Sequence, residues 1–187
     1  MFLAARTSQE LRYNEIAKAI GISAPTAKEW VSILERSGVL FLLRPYSTNL
    51  TNRLVKTPKL YFLDTGLVAY LCRWPSAETI QYGAMAGAFL ETYVVSEIVK
   101  SYFNAGKRPD LYYYRDTYQR EIDLLVVEGD QVYPIEIKKA KTPHQADRHF
   151  SALERLGLKV QPGVILCMTD ELLPYSRKAW CFPVAAL

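Results

Sequence analysis

Two β-type segments, 121–127 and 131–138, constrain the fold most strongly because only a tight Gly-Asp turn at 129–130 joins them. A Gly-Asp step between aliphatic segments is typical of a β-hairpin with a two-residue loop. A closed loop of this length fixes the register of the two strands. The register places Asp123 directly opposite Glu136.

The same register places four charged side chains on one face of the hairpin. Glu121 falls opposite Lys138, and alternation directs both toward the side that Asp123 and Glu136 occupy. The intervening residues are apolar and predict a buried sheet: Ile122, Leu124, Ile135 and Ile137. Carboxylates that face each other there are destabilising unless a proton, a cation or a hydrogen-bond network compensates them.

A magnesium or manganese ion satisfies this requirement. Mg²⁺ prefers oxygen ligands, which Asp123, Glu136 and the main-chain carbonyl of Ile137 can supply. The metal would activate a water and offset charge in phosphodiester hydrolysis, with Lys138 holding that water or the phosphate. Glu91, on a predicted helix 82–103, is a fourth candidate that could reach the metal. The structural alternative is a Glu121–Lys138 salt bridge beside a partly exposed acidic pair, with Glu91 simply solvated.

The N-terminal part of the chain reads as helix, turn, helix and a two-stranded ribbon. Helices are predicted at 13–20 and 24–37, with Gly21 between them, Ser23 as a cap and Pro25 in the first turn. The buried stripe of the second helix is Ala27, Trp30, Val31 and Leu34. Strands are predicted at 39–43 and 59–62, followed by a helix at 66–72. This order is that of a winged helix, with candidate DNA contacts at Lys28, Arg36, Arg53 and Lys56.

The remaining elements predict an α/β (α+β) second domain. We expect domains at 1–75 and 76–187, divided at the Trp-Pro-Ser step 74–76. Besides the hairpin, the second domain should contain a strand at 111–114, a helix at 143–156 and strands at 163–168 and 180–184. The tyrosines at 112–114 either stack on bases or pack within the sheet.

Charge and composition narrow the class of protein. The net charge is +4, with nine basic and four acidic residues through Leu60 but fourteen and fifteen in the rest. A basic front suits nucleic acid, although a merely soluble surface explains it equally well. No apolar run reaches the length of a membrane helix, and nothing resembles an export signal. The three cysteines form no metal pattern, and we expect a cytoplasmic protein.

The candidate site residues, taken together, resemble the PD-(D/E)xK nuclease superfamily. The matching pieces are Glu91, the segment 120–123 (REID) and the segment 134–138 (PIEIK). The proline of the namesake motif is absent, because Ile122 precedes the aspartate. The resemblance implies a mixed sheet flanked by helices, as in restriction endonucleases, and a magnesium-dependent site.

Nearly the whole chain also resembles the C-terminal region of a family of bacterial and archaeal AAA-type ATPases. The segments 59–66 (KLYFLDTG), 87–91 (GAFLE) and 112–138 carry this resemblance. It implies a winged helix, a nuclease-like domain and an ATPase domain as partner. The chain has no GxxxxGK[ST] loop, so we do not expect it to bind ATP by itself.

Two functions remain open on the sequence. The first is a DNA-binding module with a magnesium-dependent phosphodiesterase site, which would make the chain an endonuclease. The alternative is a catalytically inactive module that binds DNA or protein and is coupled to an ATPase. A nuclease-like fold is compatible with both, since fold does not fix activity.

Overall fold

The computed structural model describes residues 1–47 and 57–187, which form two compact units. The described part of the first unit comprises residues 1–43 and 57–96, and that of the second comprises 44–47 and 97–187. The division falls within a long helix, and the assignment of domains to 1–75 and 76–187 stays a prediction.

The first unit begins with a short 3₁₀ helix, Ala4–Arg6, followed by two α-helices, α1 (Tyr13–Ile20) and α2 (Ala24–Arg36). Gly21 ends α1 at a φ of 73°, a left-handed conformation that glycine adopts without strain. The Ser23 side chain caps α2 by accepting a hydrogen bond from the Thr26 amide at 3.2 Å. Both predicted helices and the predicted cap are therefore confirmed.

Strand β1 (Leu40–Pro45) pairs antiparallel with β2 (Lys59–Phe62) through its first four residues. Helix α3 (Thr65–Leu71) follows, capped by the Asp64 carboxylate on the Leu67 amide at 2.9 Å. These elements match the predicted ribbon and helix to within two residues.

The long helix predicted at 82–103 is confirmed with a later start, and a short helix that was not predicted precedes it. Helix α4 (Ala77–Tyr82) is capped by Ser76, and α5 (Ala86–Asn104) begins four residues later than predicted. Gly83 interrupts them with an extended backbone, φ −77° and ψ 167°. Helical periodicity alone did not reveal this interruption.

The core of the first unit gathers apolar residues from α1, α2, β1, β2, α3 and α5. Ala27 and Val31 are each 1% exposed, in agreement with the predicted stripe of α2. Trp30, predicted in the same stripe, is 51% exposed. The core needs a narrower face of α2 than the sequence suggested, so the indole remains at the surface.

The second unit is built on a mixed sheet. Its strands are β3 (Leu111–Arg115), β4 (Glu121–Glu128), β5 (Gln131–Lys138), β6 (Lys159–Val160), β7 (Gly163–Cys167), β8 (Leu173–Ser176) and β9 (Ala179–Pro183). They are ordered β3-β4-β5-β7-β9-β8, with β6 beside β5. β3, β4 and β5 are antiparallel neighbours, β5, β7 and β9 are parallel, and β8 is antiparallel to β9. Sequence patterns did not predict the short strands β6 and β8.

The prediction of a helix at 143–156 is wrong. A 3₁₀ helix, Phe150–Leu156, occupies only the second half of this range, and the residues before it form turns and bends. Gln145 has a φ of 47°, the Ala146 amide donates to the Tyr175 hydroxyl at 2.9 Å, and Asp147 accepts from Ser176 at 2.7 Å. Tertiary hydrogen bonds to β8 therefore replace those of a helix.

The chain is thus a mixed α/β protein with a large mixed sheet and several helices. One face of the second unit's sheet contributes to a core that includes Leu125, Val132 and Ile165 and the buried Phe150 and Leu153. Among the described helices, none has the length and apolar character needed to cross a membrane.

Candidate active site

The hairpin that carries the candidate carboxylates has the predicted register. Glu128 lies opposite Gln131, and Leu124 lies opposite Ile135. Gly129 takes a φ of 64° in the turn, as a tight hairpin loop requires. At the next residue, Asp123, the side chain makes the hydrogen bond to the neighbouring strand. Its Oδ2 accepts from the Ile137 amide at 2.8 Å.

An irregularity in the β3–β4 pairing is centred on this aspartate. Tyr112 lies opposite Leu125 and Tyr114 opposite Ile122, so two residues of β4, Asp123 and Leu124, face one residue of β3. Such a bulge bends the strand and re-aims a side chain, often next to a functional site. The bulge therefore accounts for the carboxylate turning onto the neighbouring main chain.

The environment of Glu136 shifts the pKa of its carboxyl group. It is 8% exposed, and burial together with the negative charge of Asp123 raises the pKa of Glu136 to about 7. A hydrogen bond from the Lys138 ammonium to Glu136 Oε1, 2.6 Å long, acts in the opposite direction. Because the Lys138 side chain is 41% exposed, it joins the buried carboxylate to the surface.

The second unit therefore brings three predicted site residues together: Asp123, Glu136 and Lys138. Lys138 forms an ion pair with Glu136, and Glu121 forms one with Arg115 at 3.7 Å. The sequence alternative had paired Glu121 with Lys138. Arg115 was missed because its role depends on the β3–β4 register, which no tight turn fixes in the sequence.

Two acidic side chains and the adjoining Ile137 main chain suit a hard divalent cation. Mg²⁺ and Mn²⁺ prefer oxygen donors. Burial and then the negative charge of Asp123 raise the pKa of Glu136, and a cation would offset the second of these effects. Within residues 1–47 and 57–187, no three His, Cys, Asp or Glu side chains gather into a metal-binding group. A metal here would thus use two carboxylates, with main-chain oxygen or water completing its coordination.

Glu91 belongs to the first unit, where it has two neighbours on β2. Its Oε1 accepts from the Tyr61 hydroxyl at 2.6 Å and from the Lys59 ammonium at 3.1 Å. Lys59 is 6% exposed and Tyr61 is fully buried. The alternation Lys-Leu-Tyr in β2 already placed both side chains on one face, but the sequence did not pair that face with Glu91.

Two of the four predicted nucleic-acid contacts lie in the part of the chain that the structure describes. Lys28 and Arg36 are both exposed on α2, and Arg36 Nε donates to the Ser32 carbonyl at 3.3 Å. Arg53 and Lys56 lie outside the described residues. The tyrosines Tyr113 and Tyr114 of β3 are 3% and 8% exposed, which confirms sheet packing for these two.

The ring of His149 lies 3.0 Å from the Glu121 carbonyl through Nδ1. Because a carbonyl oxygen only accepts, Nδ1 carries the proton of this hydrogen bond. This histidine is half-buried against β4.

The fold and the acidic pair define a mixed α/β protein with a candidate cation site on a β-hairpin. Residues 86–187 match the model of DUF4143, a domain of unknown function, and residues 1–78 match DUF8612, another domain of unknown function. The chain belongs to the DUF4143 family.

Curated relatives include an uncharacterised protein of Mycobacterium bovis and one of Mycobacterium tuberculosis. Each is 30% identical over 154 residues, which cover 80% of this chain and 34% of the relative. The aligned region thus spans about a third of the length of these relatives. No solved structure matches the chain.

Proposed function

We propose that the chain is a DNA-binding module with a magnesium-dependent phosphodiesterase site on the β4–β5 hairpin. The observation that carries this proposal is the burial of Glu136 beside Asp123, which raises the pKa of Glu136 to about 7. A stable fold has little reason to bury one carboxylate beside another. Perturbed carboxylates with a specific charge partner mark candidate functional sites.

Each side chain of the proposed site has a distinct part. The Ile137 amide fixes the orientation of Asp123, so this carboxylate can hold a cation without first being ordered. Glu136, with a pKa of about 7, can keep or release a proton near neutral pH. Lys138 places an ammonium between the buried carboxylate and solvent, where it can bind phosphate oxygen.

A divalent ion held by Asp123, Glu136 and the Ile137 carbonyl would polarise phosphate and supply an activated water at neutral pH. This donor set is the one that resembles PD-(D/E)xK nucleases, and the mixed sheet of the second unit is compatible with a nuclease-like fold. Glu91 was predicted as a fourth member of the site, but it belongs to the first unit, where its hydrogen bonds to Tyr61 and Lys59 give it a structural role.

The first unit is the proposed DNA-holding part, arranged as a winged helix. Support comes from α1, the Gly21 turn, α2 and the β1–β2 ribbon in this order, and from exposed Lys28 and Arg36 on α2. Contacts of such residues with phosphate would position DNA without reading its sequence. An ATPase domain is the proposed partner, as the resemblance to the C-terminal region of AAA-type ATPases implies. The matched relatives are about three times as long as the aligned region, which leaves room for such a domain.

A cleavage assay with matched variants tests the proposal. Labelled duplex, single-stranded and four-way branched DNA are incubated with the protein in Mg²⁺ or Mn²⁺. We expect cleavage that disappears in Glu136→Gln and Asp123→Asn and persists in Glu128→Gln, an exposed carboxylate change on the same hairpin. Cleavage that is equal in all four proteins would contradict the proposed site.

The second candidate function is a catalytically inactive interaction module. It is favoured by the short Lys138–Glu136 ion pair, because an internal ammonium compensates the buried carboxylate as a metal would. This alternative predicts metal-independent binding of DNA or protein, with no cut product for wild type and variants alike.

A further inference from the structure

The loop between β3 and β4, residues 116–120, presents an exposed aromatic ring immediately before the strand that carries Asp123. Tyr118 is 78% exposed, although most tyrosines of the neighbouring strand are buried. Exposing a ring of this size forgoes the stabilisation that its burial would bring. The loop therefore merits a functional explanation.

The loop is held in one conformation by Asp116. One carboxylate oxygen, Oδ1, accepts from the Tyr118 amide at 2.9 Å and from the Arg120 amide at 3.0 Å. The other, Oδ2, accepts from Arg120 Nε at 2.7 Å. The Asp116 amide in turn donates to the Arg120 carbonyl at 3.1 Å and closes the loop. Tyr118 consequently extends from an ordered backbone.

A cation lies against the same ring. The Arg120 guanidinium carbon is 5.4 Å from the centre of the Tyr118 ring, within the range of a cation–π contact. The guanidinium also pairs with Asp116, 2.6 Å from Nη2 to Oδ2. These contacts limit the positions of both side chains, so little ordering remains to be done when a planar ligand stacks on the ring.

The position of the loop relates it to the candidate site. Arg120 directly precedes β4, and Asp123 is three residues further, about 10 Å along a strand at ~3.3 Å per residue. That distance corresponds to roughly three stacked nucleotides of one strand at 3.4 Å each. A base that is bound at Tyr118 would therefore lie within a few nucleotides, along the same strand, of a phosphate at Asp123 and Glu136.

We infer that Tyr118 is a stacking platform for an unpaired nucleobase of the nucleic-acid substrate. Aromatic rings on proteins bind bases by stacking only when the base face is accessible, as in single strands, loops and ends. The inference rests on the proposed function for the class of ligand, and it specifies single-stranded or locally unpaired nucleic acid rather than continuous duplex.

Fluorescence anisotropy tests the inference without requiring catalysis. A labelled 20-nucleotide single strand and the matching blunt duplex are titrated with protein in EDTA, so that cleavage does not interfere. We expect Tyr118→Ala to weaken single-strand binding about tenfold, the effect of losing one stacked base. Tyr118→Phe keeps the ring and should bind within about twofold of wild type. Duplex binding should not change.

Two further variants control for indirect effects. Tyr118→Leu keeps apolar volume without an aromatic face and should bind as weakly as the alanine variant. Tyr70→Ala changes a tyrosine that is 79% exposed in the first unit and should leave single-strand affinity unchanged. Melting temperatures of all variants should agree with wild type, since the side chains of Tyr118 and Tyr70 are both largely exposed.

The outcomes separate this inference from the proposed function. Tyr118-dependent binding of single strands, with no cleavage in any metal, would support the stacking platform and overturn the nuclease proposal. Metal-dependent cleavage with equal single-strand affinity in wild type and Tyr118→Ala would overturn the stacking platform alone. Absence of single-strand binding by wild type would also overturn it.

Discussion

Lys138 donates a hydrogen bond of 2.6 Å to Glu136 from the same strand, two residues away. The glutamate is buried and the lysine side chain is 41% exposed, so the ion pair connects the interior of the second unit with solvent. Despite this ammonium, burial and the charge of Asp123 keep the pKa of Glu136 at about 7. Lys138 therefore only partly offsets the burial of Glu136 and its proximity to Asp123.

The stability of the protein should fall as pH rises through the titration of Glu136. The pKa of this carboxyl is raised from 4.5 to about 7 in the folded chain, so between these values the folded state binds more protons than the unfolded state. The raised pKa corresponds to a loss on the order of 3 kcal/mol by pH 8, relative to pH below 4.5.

Glu136→Gln should remove this part of the pH dependence. Urea unfolding at pH 5, 6, 7 and 8 measures the free energy of unfolding of both proteins, and Glu128→Gln serves as the exposed control. We expect the wild-type curve to decline more steeply with pH than the Glu136→Gln curve. Identical slopes would contradict a raised pKa for Glu136.

Two substitutions of Asp123 should separate its charge from its hydrogen bond. Asp123→Asn keeps an oxygen that can accept from the Ile137 amide but removes the negative charge, so the pKa of Glu136 should fall. Asp123→Ala also loses the hydrogen bond and should cost about 1 kcal/mol more in the free energy of unfolding. Chemical denaturation at pH 8 measures the difference, and equal stability of the two variants would argue against the Asp123–Ile137 bond.

Glu91 should matter for the stability of the first unit whether or not metal is present. Its carboxylate accepts from the ammonium of Lys59, which is 6% exposed, and removing one partner of a buried ion pair typically costs about 3 kcal/mol. We expect Glu91→Ala to lower the free energy of unfolding by roughly this amount and Tyr61→Phe by about 1 kcal/mol. A Glu91→Ala protein with wild-type stability would mean that the pair has no structural role.

Two adjacent residues of α2 test the orientation of that helix. Val31 is 1% exposed, whereas Trp30 is 51% exposed. Val31→Ala should cost about 1 to 2 kcal/mol of stability, while Trp30→Ala should cost clearly less than truncation of a buried Trp, about 3 to 5 kcal/mol. Thermal unfolding of both variants gives the comparison, and a loss of about 3 to 5 kcal/mol for Trp30→Ala would show that the indole is in the core.

The parts of the fold that follow from local rules could be predicted from the sequence. The two-residue turn at 129–130 fixed the β4–β5 register, and with it the proximity of Asp123 and Glu136. The cap at Ser23 could be predicted because a short polar side chain before an apolar periodic run has a direct backbone role, and Asp64 has the same role before α3.

Features that depend on tertiary contacts were missed. The bulge at Asp123 arises from the pairing of β4 with β3, and the segment before Phe150 is not helical because Ala146 and Asp147 bond to β8. The partners of Glu91 lie more than 29 residues away in sequence. None of these contacts has a local sequence signal comparable to a hairpin turn.

The most direct test of the proposed site is calorimetric titration of Mn²⁺ into the protein at pH 8, where Glu136 is ionised. The account predicts binding that is lost in Asp123→Asn and in Glu136→Gln and retained in Glu128→Gln. Absence of binding to wild type, or equal binding by wild type and both site variants, would contradict a metal site at Asp123 and Glu136.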